Sequence, residues 1–138
     1  MPADFDRDGD LDFFVVNNNQ QFLYLENVWG QRQNWAVVQL QGERSNSFGI
    51  GSRVELTAGG RSQVRELHLG SGYLSSPPPE AHFGLGDTRT IDRITVRWPT
   101  GETQVVDNLK ANQIILIEES RGFRYVNPEK SKTGPVTP

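Results

Sequence analysis

Apolar and polar residues along this chain alternate with a period of two, and no stretch keeps the 3.6-residue period of an amphipathic helix. Ile91–Trp98 (IDRITVRW) is the clearest case: Ile94, Val96 and Trp98 fall on one face, Arg93, Thr95 and Arg97 on the other. That is the pattern of a half-buried antiparallel strand with its tryptophan turned inward. Leu11–Asn17 (LDFFVVN) and Gln21–Glu26 (QFLYLE) are aromatic and β-branched, and the turn-forming Asn17-Asn18-Asn19-Gln20 joins them. Asn34–Leu40, Ser52–Thr57, Ser62–Leu69 and Thr103–Val106 are further strands, and Gln113–Glu118 (QIILIE) is apolar enough to lie centrally in a sheet. Gly59-Gly60 marks a two-residue hairpin, because both positions accept φ > 0. Pro99-Thr100-Gly101 turns the chain after Trp98. Ser75–Glu80 (SSPPPE) is a surface loop, since three prolines remove three ladder donors. Short strands at this spacing predict an all-β fold, an antiparallel β-sandwich or jelly-roll-like domain.

Composition narrows the chemistry. The chain has 138 residues and no cysteine, which excludes disulfides, thiolate metal sites and a cysteine nucleophile and leaves the redox compartment open. No apolar run approaches the roughly 20 residues of a membrane span. Met1-Pro2-Ala3 leads at once into aspartates, so an exported form is expected to have lost its signal or to carry it upstream. The net charge is −3, of which Asp4, Asp6, Asp8, Asp10 and Asp12 contribute −5, leaving +2 elsewhere. The acidity is local, which points to a cation site. No basic stripe offers to replace phosphate counterions, so nucleic acid is not an expected partner.

Asp4–Asp12 reads DFDRDGDLD. Calcium takes six to eight hard oxygen ligands at about 2.3–2.6 Å, and alternate residues of a tight loop can supply them. Asp4, Asp6, Asp8, Asp10 and Asp12 stand at loop positions 1, 3, 5, 7 and 9, with Gly9 at position 6, where the chain turns sharply. Asp10 is expected to offer its carbonyl and Asp12 to close the site. The pattern departs from an EF-hand in two ways: Val15 stands where a bidentate glutamate would, and the residues after Asp12 form a strand. Without a cation these carboxylates would repel one another. Magnesium suits the flexible all-oxygen set less well than calcium. An affinity near 10⁻⁴–10⁻³ M, of the order usual for extracellular modules, or somewhat tighter is expected, and it would be useful only where calcium is millimolar.

These residues carry a resemblance to two known modules. Ala3–Asn27 resembles the second half of an FG-GAP/VCBS repeat, the calcium-loop blade of β-propellers, and Asn34–Glu118 resembles the ASPIC/UnbV domain. The second likeness rests on RSNSFGIGSRVELTAGGRSQVRELHLGSGYLS, HFGLGD and IDRITVRWPTGETQVVDNL. The resemblance implies a partial repeat with its calcium loop over residues 1–30 and a β-sandwich over 31–121; the polar Pro/Thr/Lys composition from Glu129 onward makes the tail over 122–138 an expected, largely disordered segment. The resemblance also implies an N-terminal β-hairpin from a propeller-type repeat, the rest of a longer propeller-containing chain upstream, and a secreted, extracellular or periplasmic, non-enzymatic binding module. Asp4, Asp6, Asp8, Asp10 and Asp12 are the ligands it implies; no ligand residue is implied for the sandwich.

Other residues allow weaker readings. His68 lies in a strand candidate and His82 precedes Phe83-Gly84-Leu85-Gly86; neither stands in a nucleophile–acid set, so sheet-surface or hydrogen-bonded core roles are expected. Gly49-Ile50-Gly51 and Gly84-Leu85-Gly86 open no helix, which removes a nucleotide reading. Trp29, Trp35, Trp98 and Tyr73 raise a glycan-stacking platform as an alternative, with Gly70–Tyr73 as a contact loop. Arg44, Arg53, Arg61, Arg65 and Arg93 are interspersed with acids and are expected on solvated faces. The partner is thus an unknown protein or a glycan, and an auxiliary enzymatic role ranks last.

Overall fold

A computed structural model describes residues 2–18, 21–28, 32–70 and 76–126. Eleven strands occur among them, with no α-helix: β1 Pro2–Ala3, β2 Asp12–Val15, β3 Leu23–Leu25, β4 Asn34–Gln41, β5 Arg53–Ala58, β6 Arg61–Glu66, β7 Glu80–Gly86, β8 Thr90–Arg97, β9 Thr103–Lys110, β10 Gln113–Glu118 and β11 Gly122–Tyr125. They form a small sheet, β1-β2-β3, and two four-stranded sheets, β11-β10-β4-β7 and β6-β5-β8-β9. The all-β, sandwich-like class expected from the period-two pattern is the class observed.

The core lies between the two four-stranded sheets. Ala36, Val38, Phe83, Ile115 and Ile117 from the first meet Val54, Leu56, Ile91, Ile94 and Val96 from the second, all essentially without exposure. Ile94, Val96 and Trp98 point inward as the alternation of β8 requires, and Trp98 donates its indole N–H to Gln104 Oε1 at 3.2 Å. Gly59 and Gly60 take φ of 55° and 74° between β5 and β6, the two positive values that make the hairpin tight. β10 is central, between β11 and β4.

Two features differ from expectation. β10 runs parallel to β4, where antiparallel ladders were anticipated. A parallel pair needs a long crossover, and here the chain between them goes through both sheets, supplying β5 to β9. The sandwich also runs past residue 121: Gly122–Tyr125 is β11 and pairs antiparallel with β10. Its phenylalanine and tyrosine, 5.6 Å apart between ring centroids, leave it an exposed edge strand. Trp29, Tyr73 and the tail from residue 127 lie outside the described residues.

Candidate metal centre

The acidic segment is the connection of a hairpin. β1 and β2 are antiparallel, with Ala3 opposite Asp12 and Pro2 opposite Phe13, so residues 4–11 must reverse direction tightly. Short aspartate side chains close such turns by accepting nearby amides. Asp6 Oδ1 accepts from the Asp8 N–H at 3.2 Å, Asp8 Oδ1 from the Asp10 N–H at 3.1 Å, and Asp4 Oδ2 from the Gly9 N–H at 3.1 Å. Arg7 and Gly9 are left-handed, at φ 59° and 100°.

The turning brings three of the five aspartates together. One carboxylate oxygen from each of Asp4, Asp6 and Asp8 lies within 4.8 Å of the others, inside the span of two ligand bonds of about 2.4 Å each to a common calcium. The donor set also fits an ion in what it leaves unmet. Asp4 Oδ1, Asp8 Oδ2 and both oxygens of Asp10 are buried without a hydrogen-bond partner. Unpaired buried carboxylate oxygens are costly, and a divalent cation satisfies several at once. Burial raises the Asp4 carboxyl, with the Gly9 N–H and His82 opposing it, and burial likewise raises Asp6. Burial first, and then the charges of Asp8, Asp12, Asp6 and Asp4, push Asp10 up to about 6.

Asp12 is placed differently. It is 1% exposed, and its oxygens are held by protein donors: Oδ2 by the Tyr24 hydroxyl at 2.9 Å and the Phe5 N–H at 3.3 Å, Oδ1 by the Asn27 N–H at 3.0 Å. Burial, together with the hydrogen bond to Asp12, pushes the Tyr24 phenol up to about 12. Asp12 thereby ties the loop to β3 and the segment after it. Tyr24 and Asn27 were not identified from sequence, since their spacing from Asp12 carries no motif.

The loop also packs on the sandwich. A Cβ built on Gly9 would fall 1.9 Å from Trp35 Cε2, so the Gly9 backbone lies directly against that indole. Val37 and Ile114 are 1% and 4% exposed but stand on the outer face of the first sheet, and a cleft of about 520 Å³ runs between that face and Asp4 and Arg7. On β7, His82 Nε2 lies 3.0 Å from Glu80 Oε1, and Gln39 donates to Glu80 Oε2 at 3.0 Å. The hydrogen bond with His82 is the main reason the Glu80 carboxyl is lowered. His68 is exposed, 3.2 Å from Glu66. Trp98 is in the core and Trp35 lies under the loop, so neither joins a stacking platform. Arg44, Arg93 and Arg121 pair with Glu102, Asp107 and Glu43 on solvated surfaces. Among the described residues, no helix is long and apolar enough to cross a membrane.

The family described as ASPIC and UnbV matches residues 42–123, a span that holds β5 to β10 and leaves out the aspartate loop. Among curated proteins, cartilage acidic protein 1 of Xenopus tropicalis is 33% identical over 104 residues, covering 72% of this chain and 16% of that protein. The Homo sapiens protein of the same name is 34% identical over 104 residues, covering 72% of this chain and 15% of its own length. The Mus musculus protein is likewise 34% identical over 104 residues. The chain thus spans about a sixth of the length of the curated relatives it matches. None of these names denotes an enzyme.

Proposed function

We propose, from the premise that this chain belongs to the ASPIC and UnbV family, that it is a non-enzymatic, calcium-stabilised β module of a secreted, extracellular or periplasmic protein, serving protein or matrix and cell-surface interaction. The observation that carries this reading is the convergence of Asp4, Asp6 and Asp8 beside buried carboxylate oxygens that have no donor. Calcium would be structural here. It cancels the repulsion of the acidic run and holds the loop in the turn that lays Gly9 on Trp35. The likeness of Ala3–Asn27 to an FG-GAP/VCBS repeat supports the same assignment and favours a longer parent chain with further such repeats upstream. The relatives' name places them in cartilage, and a loop of modest affinity is useful where calcium is millimolar; both favour an external location.

The test is a calcium titration of metal-depleted protein followed by melting temperature. An ion that binds only the folded state stabilises by mass action, by about 1–3 kcal/mol when it is 10- to 100-fold above its Kd. A rising melting temperature that saturates in the millimolar range is expected. A curve that stays flat through 10 mM calcium, at an ionic strength held constant, removes the metal reading.

A further inference from the structure

The outer face of the first sheet is not the polar face that a two-layer sandwich turns to water. Val37 and Ile114 stand opposite one another on it, and in the next row Leu116, Gln39 and Glu80 lie in register across β10, β4 and β7. The cleft of about 520 Å³ over this face is walled by Pro78, Pro79 and Phe48. Phe48 is 60% exposed, yet the loop that carries it is firmly held. Gly42 donates to the Ser47 carbonyl at 3.2 Å and Gly49 to that of Asn46 at 2.9 Å. The Asn46 side chain bonds Ile50 in both directions, at 2.8 and 2.7 Å, and a Cβ on Gly49 would fall 2.8 Å from Leu40. A ring kept in water by a fixed loop adds nothing to the core, but a contact made in advance loses little freedom on binding. The polar groups beside it are fixed as well. His82 anchors Glu80 Oε1 and Gln39 anchors Oε2, and each carboxylate oxygen keeps capacity for a further bond. Gln41, on the same face, is exposed and offers both an amide donor and an amide acceptor.

Three features choose the ligand. Val37 and Ile114 are only 1% and 4% exposed, so the floor keeps no empty apolar pocket for a peptide side chain to fill. Among the described lining residues Arg7 is the one cation, and Asp4 and Glu80 line the cleft with it, so no cluster of positive charge selects a phosphate or sulfate. What remains is an aromatic ring beside planar amide and carboxylate groups, which suits the apolar C–H face and hydroxyl rim of a pyranose. We propose that the cleft over β4 and β10 binds a neutral, unbranched oligosaccharide, with Phe48 stacking on a sugar ring and Glu80, Gln39 and Gln41 bonding its hydroxyls. This rests on the non-enzymatic interaction role proposed above, names its ligand class, and does not depend on calcium.

The experiment titrates the full chain, in calcium-containing buffer, with cellohexaose, chitohexaose and mannohexaose, followed by calorimetry and by amide chemical shifts. At least one should bind with a Kd on the order of 10⁻⁴ M and shift the resonances of Gln41, Phe48 and Leu116. Phe48→Ala should weaken that binding about tenfold or more, and Gln41→Ala about threefold. Phe48→Trp, which enlarges the stacking face, should bind at least as well as wild type. Val105→Ala, at an exposed position on β9 of the other sheet, should change nothing. The proposal is overturned if none of the three sugars binds, or if Phe48→Ala and Val105→Ala bind alike. A heparin hexasaccharide that shifts the same resonances and is released by salt would also overturn it, in favour of an anion site. The calcium melting curve is a separate measurement, so failure here leaves the metal reading standing.

Discussion

Replacing Glu119 by alanine is expected to lower the melting temperature by on the order of 10 °C or more, one of the two largest single-residue effects in the molecule. Glu119 follows β10 directly and is 1% exposed. Its Oε2 accepts three backbone amides, from Glu43, Arg44 and Ser45 at 2.7, 2.8 and 2.8 Å. Its Oε1 accepts the Ser45 hydroxyl at 2.9 Å and the Thr100 hydroxyl at 3.3 Å. One carboxylate therefore holds the turn after β4 and the turn between β8 and β9 to the end of β10, closing one end of the sandwich. Alanine would leave three part-buried amides without their acceptor, and orphaned donors cost more than a merely absent bond.

The pH dependence gives an independent check. Burial alone would raise the Glu119 carboxyl, but the donors from Ser45, Glu43 and Arg44 outweigh it and hold the group at about 2, against 4.5 in a free side chain. A lowered folded-state value stabilises the fold above pH 4.5, and that contribution disappears as pH falls from 4.5 to 2. Glu119→Gln cannot titrate, so the melting-temperature gap between it and wild type should be constant from neutral pH to about 5 and close across the acid window. Asp4, Asp6 and Asp10 are raised and act with the opposite sign, so the difference between the two proteins is the quantity to follow. A gap that persists unchanged at pH 2 would mean that the ionised carboxylate is not what the amides hold.

What could be read from sequence follows how local each interaction is. The β5–β6 hairpin was legible because Gly59-Gly60 settles the turn within two residues, and β8 because its inward face is written in its own alternation. β7 was missed although Ala81, Phe83 and Leu85 are all buried in the core; Gly84 between them and Gly86 after them have weak strand propensity and hid the period. β11 buries no face and so leaves no burial pattern. The parallel partnership of β4 and β10 depends on pairing across the whole domain. In the acidic loop, the convergence of Asp4, Asp6 and Asp8 is a property of alternate residues in one turn. The different surroundings of Asp10 and Asp12 are not, because Tyr24 and Asn27 decide them from 12 and 15 residues away. Glu119 lies furthest from prediction: its amide donors are 74 to 76 residues distant, and nothing in the residues around it announces a buried anion.

Gly9→Ala is expected to detach the acidic loop from the sandwich and, on the proposed calcium reading, to abolish most of the stability gained on adding calcium. The position makes three separate demands. Its φ of 100° lies in a region that L side chains rarely adopt, at a cost of about 1–3 kcal/mol. Its N–H donates to Asp4 Oδ2, so a shift of the backbone also moves a candidate ligand. The new methyl would meet Trp35 at 1.9, 2.1 and 2.2 Å from three ring atoms, distances that no small adjustment relieves, so the loop or the indole must move. Truncating the ring separates these contributions. In Gly9→Ala with Trp35→Ala the steric conflict is gone and only the backbone strain remains, so the double variant should recover part of the calcium response that Gly9→Ala loses. The single Trp35→Ala should lose the packing beneath the loop while keeping the alternate aspartates in register. Near-ultraviolet circular dichroism of the indoles and calcium-dependent melting report the two events independently. If Gly9→Ala keeps the wild-type calcium response and the wild-type indole signal, the close approach of Gly9 to Trp35 does not couple the loop to the sandwich, and the acidic hairpin acts as a unit on its own.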